Sequence, residues 1–361
     1  MRVPPCILAA ILSAALPHAL AIGAEPLISP FDGSLARERH GKPATSFTCA
    51  KPPAPQRDLT MAGFYADRGA GSSVVDESAM AAYRTATAAI NKFEADLTTM
   101  ADRYVASKPA EAALATCALD WLFAWSAADA MLGRASDQGG YVRKWGLAPI
   151  SASYLKIREE PGLDAARKKS VEAWIGRWAT VVRDDYNSTK NESRRNNHVY
   201  WAAWSVGLAA VVGDDRKLFA WSMDKARLGL KQVTAEGVLP LEMARKARAY
   251  HYHVFSAAPL VMVAELAARN GVDLHAEYDG ALARLVGLTL AGYDNDGFFV
   301  KASGQGQDRS GSTKGNNFPW LEPYYARTAD PAAGTLIRRL RPMRDVRAGG
   351  DLTMLFGVEL N

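Results

Sequence analysis

The sequence predicts an all-α protein, and three observations lead to that prediction. Apolar side chains recur with the helical period from Asp76 onward, and strand-like alternation is nearly absent. Proline, glycine and aspartate occur in the short connections between the periodic segments, as is typical of helix ends. More than six successive helices favour an α/α barrel or toroid, in which antiparallel helix hairpins surround a central cleft. An irregular bundle of the four-helix type is the alternative.

The first long helix shows the pattern most clearly. Its apolar positions are separated by seven, three, four, three and four residues; they are Tyr83, Ile90, Phe93, Leu97, Met100 and Tyr104. This spacing places them on one face of a helix. Similar patterns predict helices at about 110–133, 141–158, 163–185, 198–212, 215–234, 243–271 and 273–290.

The first residues have the composition of a secretory signal peptide. Arg2 precedes an apolar run that is too short to span a membrane, and small residues follow up to Ala24. We therefore expect residues 1–24 to be removed and the protein to be exported. Residues 25–62, rich in proline, serine and lysine, should form an extended arm, followed by a single helical domain at 63–361.

The cysteines support one disulfide bond. Cys6 leaves with the signal peptide, so that the mature chain keeps only Cys49 and Cys117. In an oxidising compartment an even number of cysteines favours a bridge over two buried thiols.

Composition and missing motifs exclude several functions. The formal charge is +5, but lysine and arginine are scattered, so that an acidic polymer outside the cytoplasm is a more plausible partner than nucleic acid. No nucleophile elbow, P-loop or dinucleotide fingerprint is present. His251 and His253 would lie on nearly opposite faces of a helix, which opposes a zinc site; we expect no metal and no cofactor.

Two clusters carry candidate chemistry. Asn197 and His198 stand where a polar segment becomes an apolar helix, and either capping or function could explain them. Arg245 and Tyr252 are seven residues apart, a spacing that places both on one face of a continuous helix. A solvated basic stripe is the alternative.

Two further segments have alternative explanations. The glycine-rich stretch from Gly63 to Gly71, with Tyr65 and Arg68, belongs to a loop at about 63–77 that is either a mobile lid or only a connection. The aromatic run that includes Trp320 and Tyr324 is either core or a platform for a sugar ring.

Motifs around these clusters resemble those of a known family. Asn-Asn-His-x-Tyr-Trp-Ala-Ala-Trp-Ser-Val begins at Asn196, Leu-Pro-x-Glu at Leu239, and Arg-x-x-Arg-Ala-x-x-Tyr-His at Arg245. The combination resembles the periplasmic alginate lyases of polysaccharide lyase family 5, and further matches extend roughly from Cys49 to Phe356.

The resemblance implies an incomplete α/α barrel with a deep cleft, a periplasmic location, and depolymerisation of alginate at mannuronate units without a metal cofactor. It also implies a neutralising Asn197, a catalytic His198, a carboxylate-binding Arg245 and a catalytic Tyr252. The stretch that corresponds to the family's lid differs here. Further substrate contacts are expected from Tyr65, Arg68, Arg143, Lys144, Tyr200, Trp201, Arg248, Trp320, Tyr324 and Arg347.

The chemistry of β-elimination explains these residue types. Removal of the C5 proton of a uronate places negative charge on the carboxylate, which Arg245 and Asn197 can stabilise. In mannuronate the C5 proton and the departing O4 lie on one side of the ring, so that Tyr252 could serve both, as a phenolate favoured by Arg245. His198 is the alternative base, above all for guluronate.

Other functions remain open from the sequence. They include cleavage of another polyuronate such as polyglucuronate, hydrolysis by a pair of carboxylates, and polysaccharide binding without turnover. Besides the acidic polysaccharide, alginate export machinery is a further expected partner, and no nucleic acid or membrane span is expected.

Overall fold

A computed structural model describes residues 25–66, 74–187 and 192–360, and there the protein is built almost entirely of helices. The signal peptide predicted at 1–24 lies outside this part. The α-helices are α1 (Gly33–His40), α2 (Glu77–Ala106), α3 (Ala112–Ala127), α4 (Asp137–Ile157), α5 (Ala165–Asp185), α6 (Asn197–Gly213), α7 (Arg216–Leu230), α8 (Pro240–Met243), α9 (Ala249–Arg269), α10 (Glu277–Asp294), α11 (Gly297–Ser303), α12 (Leu321–Thr328), α13 (Pro331–Leu340) and α14 (Leu352–Phe356). The all-α prediction is confirmed.

Helix α6 forms the centre of the molecule. It packs against α4, α5, α7 and α9, and every residue from Val199 to Val212 is buried. A helix that is apolar on all sides is stable only inside a core. The buried body of the helix therefore fixes the position of its first turn, which carries Asn197 and His198.

Aspartate and serine side chains define where several helices begin. Asp76 accepts a hydrogen bond from the Ala79 N–H at the start of α2, and Ser136 accepts one from the Gly139 N–H at the start of α4. Such caps satisfy amide groups that have no partner within the helix. They explain why the predicted starts of these helices lie within a few residues of the observed ones.

The predicted helix at 243–271 is wrong at its start. The chain forms the short helix α8 at Pro240–Met243 and then a turn, in which Lys246 has a φ of +55°, before α9 begins at Ala249. A left-handed residue cannot continue an α-helix. Arg245 therefore lies in the turn and not on the same helix as Tyr252.

The N-terminal arm is less extended than predicted, since Asp32 caps the eight-residue helix α1. The predicted disulfide between Cys49 and Cys117 is confirmed and joins the arm to α3. Two buried indoles of the same helix add hydrogen bonds: Trp121 donates to the Ala50 carbonyl at 2.8 Å and Trp125 to the Pro53 carbonyl at 3.0 Å.

A short antiparallel pair, β1 (Arg344–Asp345) and β2 (Gly350–Asp351), closes a loop near the C-terminus. Gly349 and Gly350 have φ values of +117° and +112°, which favour glycine. The indole of Trp204 in α6 donates to the Arg347 carbonyl at 2.9 Å. The loop is thereby fixed to the central helix. Within the described residues no helix is both long and apolar enough to cross a membrane.

Candidate active site

A cavity of about 590 Å³ opens at the N-terminal end of α6. The four residues with predicted catalytic roles, Asn197, His198, Arg245 and Tyr252, all line it. They come from three places in the chain: the first turn of α6, the turn after α8 and the first turn of α9. The fold thus brings together the two clusters that the sequence suggested separately.

Asn197 is fully buried and is held by Glu242. The Asn197 backbone N–H donates to Glu242 Oε1 at 2.7 Å, and its Nδ2 lies 3.0 and 3.1 Å from the two carboxylate oxygens. Burial raises the pKa of Glu242 to about 7, against the effect of the Asn197 donors and Arg245. Asn197 Oδ1 has no hydrogen-bond partner within the described residues.

His198 lies between an aromatic ring and a lysine. Its ring stacks on Tyr141 with centroids 4.2 Å apart and 13° between the planes, and its Nδ1 lies 2.8 Å from Lys144 Nζ. Burial lowers the pKa of His198 well below the usual range, and Lys144, Arg245 and Arg194 lower it further. At neutral pH the imidazole is therefore uncharged.

Arg245 and Tyr252 meet despite their different backbone settings. The Arg245 guanidinium carbon lies 3.6 Å from the centroid of the Tyr252 ring. The sequence predicted their proximity from a shared helix face, and that explanation was wrong. The turn at Lys246 brings Arg245 back over the Tyr252 ring. Arg245 and Arg248 lower the pKa of Tyr252, but burial outweighs them and the pKa is raised to about 12. The expected shift towards phenolate is therefore wrong for the free protein.

Arg248, Tyr65 and Arg347 add to a polar lining that also includes the carboxylates of Glu192 and Asp345. Arg248 Nη1 donates to the Tyr65 hydroxyl at 3.3 Å, and the Arg347 guanidinium carbon lies 4.5 Å from the Trp145 ring centroid. Together with Trp201, these residues line the cavity as the sequence suggested. Arg68 lies outside the described residues.

Five predicted substrate contacts do not lie at the cavity. The Arg143 guanidinium donates to the Met131 and Gly133 carbonyls, and Lys144 is fully buried behind His198. The other three are Tyr200, Trp320 and Tyr324, and all are buried core residues. Their large rings contribute more stability in the core than they would on the surface. The core explanation therefore applies to the aromatic run.

Several cavity residues were missed. Tyr141 and Trp145 face His198 from α4, while His251 stacks on Phe255 with ring centroids 6.1 Å apart and 11° between the planes. The spacing of Tyr141, Lys144 and Trp145 at i, i+3 and i+4 was the available signal, because such residues share one helix face. A second signal was the Leu-Pro-x-Glu motif that contains Glu242.

Both histidines of α9 are engaged by the backbone. His251 Nδ1 donates to the Gly311 carbonyl at 3.0 Å, and His253 Nδ1 donates to the Ala249 carbonyl at 2.7 Å. His253 Nε2 in turn accepts a hydrogen bond from the Leu239 N–H. In the described part of the chain, no group of three or more histidine, cysteine, aspartate or glutamate residues could hold a metal ion.

Comparison with known proteins identifies the class of this helical protein. The sequence model of the family described as alginate lyase matches residues 64–299. An alginate lyase of Azotobacter vinelandii is 35% identical over 306 residues, which cover 83% of this chain and 81% of the relative. An alginate lyase of Pseudomonas syringae pv. tomato is 32% identical over 368 residues, which cover 99% of this chain and 96% of the relative. The chain belongs to the alginate lyase family.

Solved structures show the same fold. The crystal structure of alginate lyase A1-III from Sphingomonas species A1 has a TM-score of 0.80 at 24% identity, with 96% of this chain and 100% of that chain covered. A variant of alginate lyase A1-III complexed with tetrasaccharide has a TM-score of 0.84 at 24% identity, with 96% of this chain and 100% of that chain covered. The α/α-toroid prediction is thereby confirmed.

Proposed function

We propose that this protein is an alginate lyase that cleaves the 1,4-glycosidic bond by β-elimination and leaves an unsaturated non-reducing end. The observation that carries the proposal is the convergence of Asn197, His198, Arg245 and Tyr252 in one cavity. Membership of the alginate lyase family supports it, as do the names of the relatives.

Arginines outnumber acidic residues in the cavity lining, which suits an acidic polymer. Arg245, Arg248 and Arg347 line it against Glu192 and Asp345. A guanidinium matches the planar geometry of a carboxylate.

Buried polar atoms of two lining residues, Trp145 Nε1 and Trp201 Nε1, have no hydrogen-bond partner among the described residues. Arg248 Nε likewise has no hydrogen bond there and lies 3.9 Å from Asp308 Oδ2. A polyhydroxylated ligand could supply acceptors to these donors.

In the proposed reaction Arg245 stabilises the charge that develops on the uronate carboxylate when the C5 proton leaves. Asn197 joins it by turning its Nδ2, which contacts Glu242 in the free protein, towards the substrate carboxylate. Tyr252 takes the C5 proton and gives one to the departing O4. Because burial raises the pKa of Tyr252 to about 12, its hydroxyl is protonated in the free protein at neutral pH. The hydroxyl proton must therefore pass to solvent before Tyr252 can take the C5 proton, and the same group then returns the C5 proton to O4.

We further propose that mannuronate is the preferred unit, because one group can serve both proton transfers only when C5–H and O4 lie on the same side of the ring. Export to the periplasm is supported by the signal-peptide composition of residues 1–24 and by the disulfide.

Product analysis with defined polymers tests the proposal. The purified protein is incubated separately with polymannuronate, polyguluronate and polyglucuronate, and ultraviolet absorbance and new reducing ends are measured. We expect both signals to rise together, fastest with polymannuronate. New reducing ends without absorbance would identify a hydrolase, and binding without either signal would identify a polysaccharide-binding protein.

A further inference from the structure

Lys144 is a buried lysine in contact with the candidate catalytic imidazole. Its side chain has no exposed surface, and its Nζ lies 2.8 Å from His198 Nδ1. Within the described residues it forms no ion pair with an aspartate or glutamate, although buried lysines normally have such a partner. An ordinary ion pair therefore does not explain this residue.

Aromatic rings surround the Lys144 ammonium. Its Nζ lies 4.2 Å from the ring centroid of Trp145, 5.3 Å from that of Tyr141 and 5.5 Å from that of Tyr186. The faces of such rings attract a cation. Burial acts in the opposite direction and, with Arg347 and Arg194, lowers the pKa of Lys144 well below its usual range.

The charge of Lys144 decides which of the two nitrogens holds the hydrogen between them. An ammonium has three N–H donors and no acceptor, and the three rings around Nζ favour this charged form. The hydrogen between Nζ and Nδ1 therefore belongs to Nζ, so that Lys144 donates and His198 accepts. A neutral imidazole that accepts at Nδ1 carries its hydrogen at Nε2.

We propose that Lys144 is a positioning residue, which donates a hydrogen bond to Nδ1 of His198 and thereby holds the imidazole hydrogen on Nε2, the nitrogen turned away from Lys144. Tyr141 and Trp145, on the same face of α4, fix the plane of the ring. The kinetic consequence rests on the lyase function proposed above. His198 then donates to the substrate carboxylate, and the proton transfers belong to Tyr252.

The tautomer can be measured without substrate. The mature protein is labelled with ¹⁵N-histidine, and the His198 signals are assigned by their loss in His198→Asn. At neutral pH we expect a non-protonated Nδ1 and a protonated Nε2. A protonated Nδ1 would make Lys144 the acceptor and overturn the proposal. This result is independent of whether any polymer is cleaved.

Variants test the kinetic consequence. Lys144→Met removes the donor at similar volume, and we expect kcat to fall about 10- to 100-fold, more than KM changes, with both His198 tautomers populated. Unfolding by urea shows whether the variant is folded. Wild-type kcat in a folded Lys144→Met protein would refute the positioning role.

Chemical rescue distinguishes the effect of the Lys144 amine from the effect of the volume that the side chain fills. In a protein produced without residues 1–24, the Lys144→Cys variant has one free thiol, at position 144, because Cys49 and Cys117 are bridged. Alkylation in urea with 2-bromoethylamine restores a lysine-like amine after refolding, whereas 1-bromopropane adds an apolar group of the same length. We expect recovery of kcat with the amine alone; equal recovery with both would contradict the proposal. Failure of the wild-type protein to cleave any polyuronate would instead refute the lyase function and leave the tautomer result standing.

Discussion

Replacement of Tyr252 by phenylalanine tests the proposed proton transfers most directly. The change removes one oxygen from a residue that is 8% exposed, while the ring keeps its contacts with Arg245 at 3.6 Å and with His251 at 5.1 Å. Loss of one hydroxyl should change the free energy of unfolding by about 1 kcal/mol or less. Polymer binding should persist, because the arginines of the cavity remain.

Turnover should nearly disappear. A general acid or base contributes about 10²- to 10⁴-fold to a rate, and Tyr252 is proposed to act as both, so that we expect a loss of about 10⁴-fold or more. The assay follows the absorbance of unsaturated ends from polymannuronate, and calorimetry measures binding of the same polymer.

Tyr324→Phe is the matched control. Tyr324 is 3% exposed and lies in α12, away from the cavity lining. The same chemical change there should leave turnover within about twofold of wild type. Substantial turnover in a folded Tyr252→Phe protein would refute the assignment and make His198 the base.

Three further predictions concern electrostatics and stability. Arg245→Ala should lower kcat/KM on polymannuronate about 100-fold or more. The control Arg57→Ala, at an exposed arginine, should leave kcat/KM unchanged. Equal effects of the two changes would contradict a role of Arg245 in carboxylate binding. Loss of the Cys49–Cys117 bridge, which closes a separation of 68 residues, should lower the free energy of unfolding in urea by about 4 kcal/mol, and an unchanged value would refute the entropic argument. Burial raises the pKa of Glu94 from 4.5 to about 7, so that its contribution to stability is present below pH 4.5 and lost as the pH rises through 7. Urea unfolding across this range should show a loss of about 3 kcal/mol in the wild type that is absent in Glu94→Gln, and equal pH dependence of the two proteins would refute it.

The helical architecture could be predicted because local rules agree with the packing. The apolar period of α2 and the uniformly apolar sequence of α6 each correspond to the burial that the structure shows. The start of α9 could not be predicted, because nothing in the sequence around Lys246 requires a left-handed residue. The helical pattern of the sequence continues through this turn, so that it does not indicate where α9 begins.

The candidate site was predicted for the residues that belong to motifs, and less well for the charged residues around them. Lys144 was expected to contact substrate because it belongs to a stretch that resembles the family, but the rings of Tyr141, Trp145 and Tyr186 enclose it. Composition alone cannot distinguish Trp320, which is core, from Trp201, which lines the cavity. Only the direction of each side chain in the folded chain separates them.

The beginning of the described chain is attached to the end of the molecule opposite the cavity. The Leu27 N–H donates to Asp214, just after α6, and the Ile28 N–H donates to Asn270, just after α9. Since α6 has 17 residues, this end lies about 25 Å from its first turn. In a protein produced from Glu25 onward, a purification tag or a solid support joined at this residue would therefore leave the entrance for a long polymer open, which suits immobilisation of the protein in a reactor.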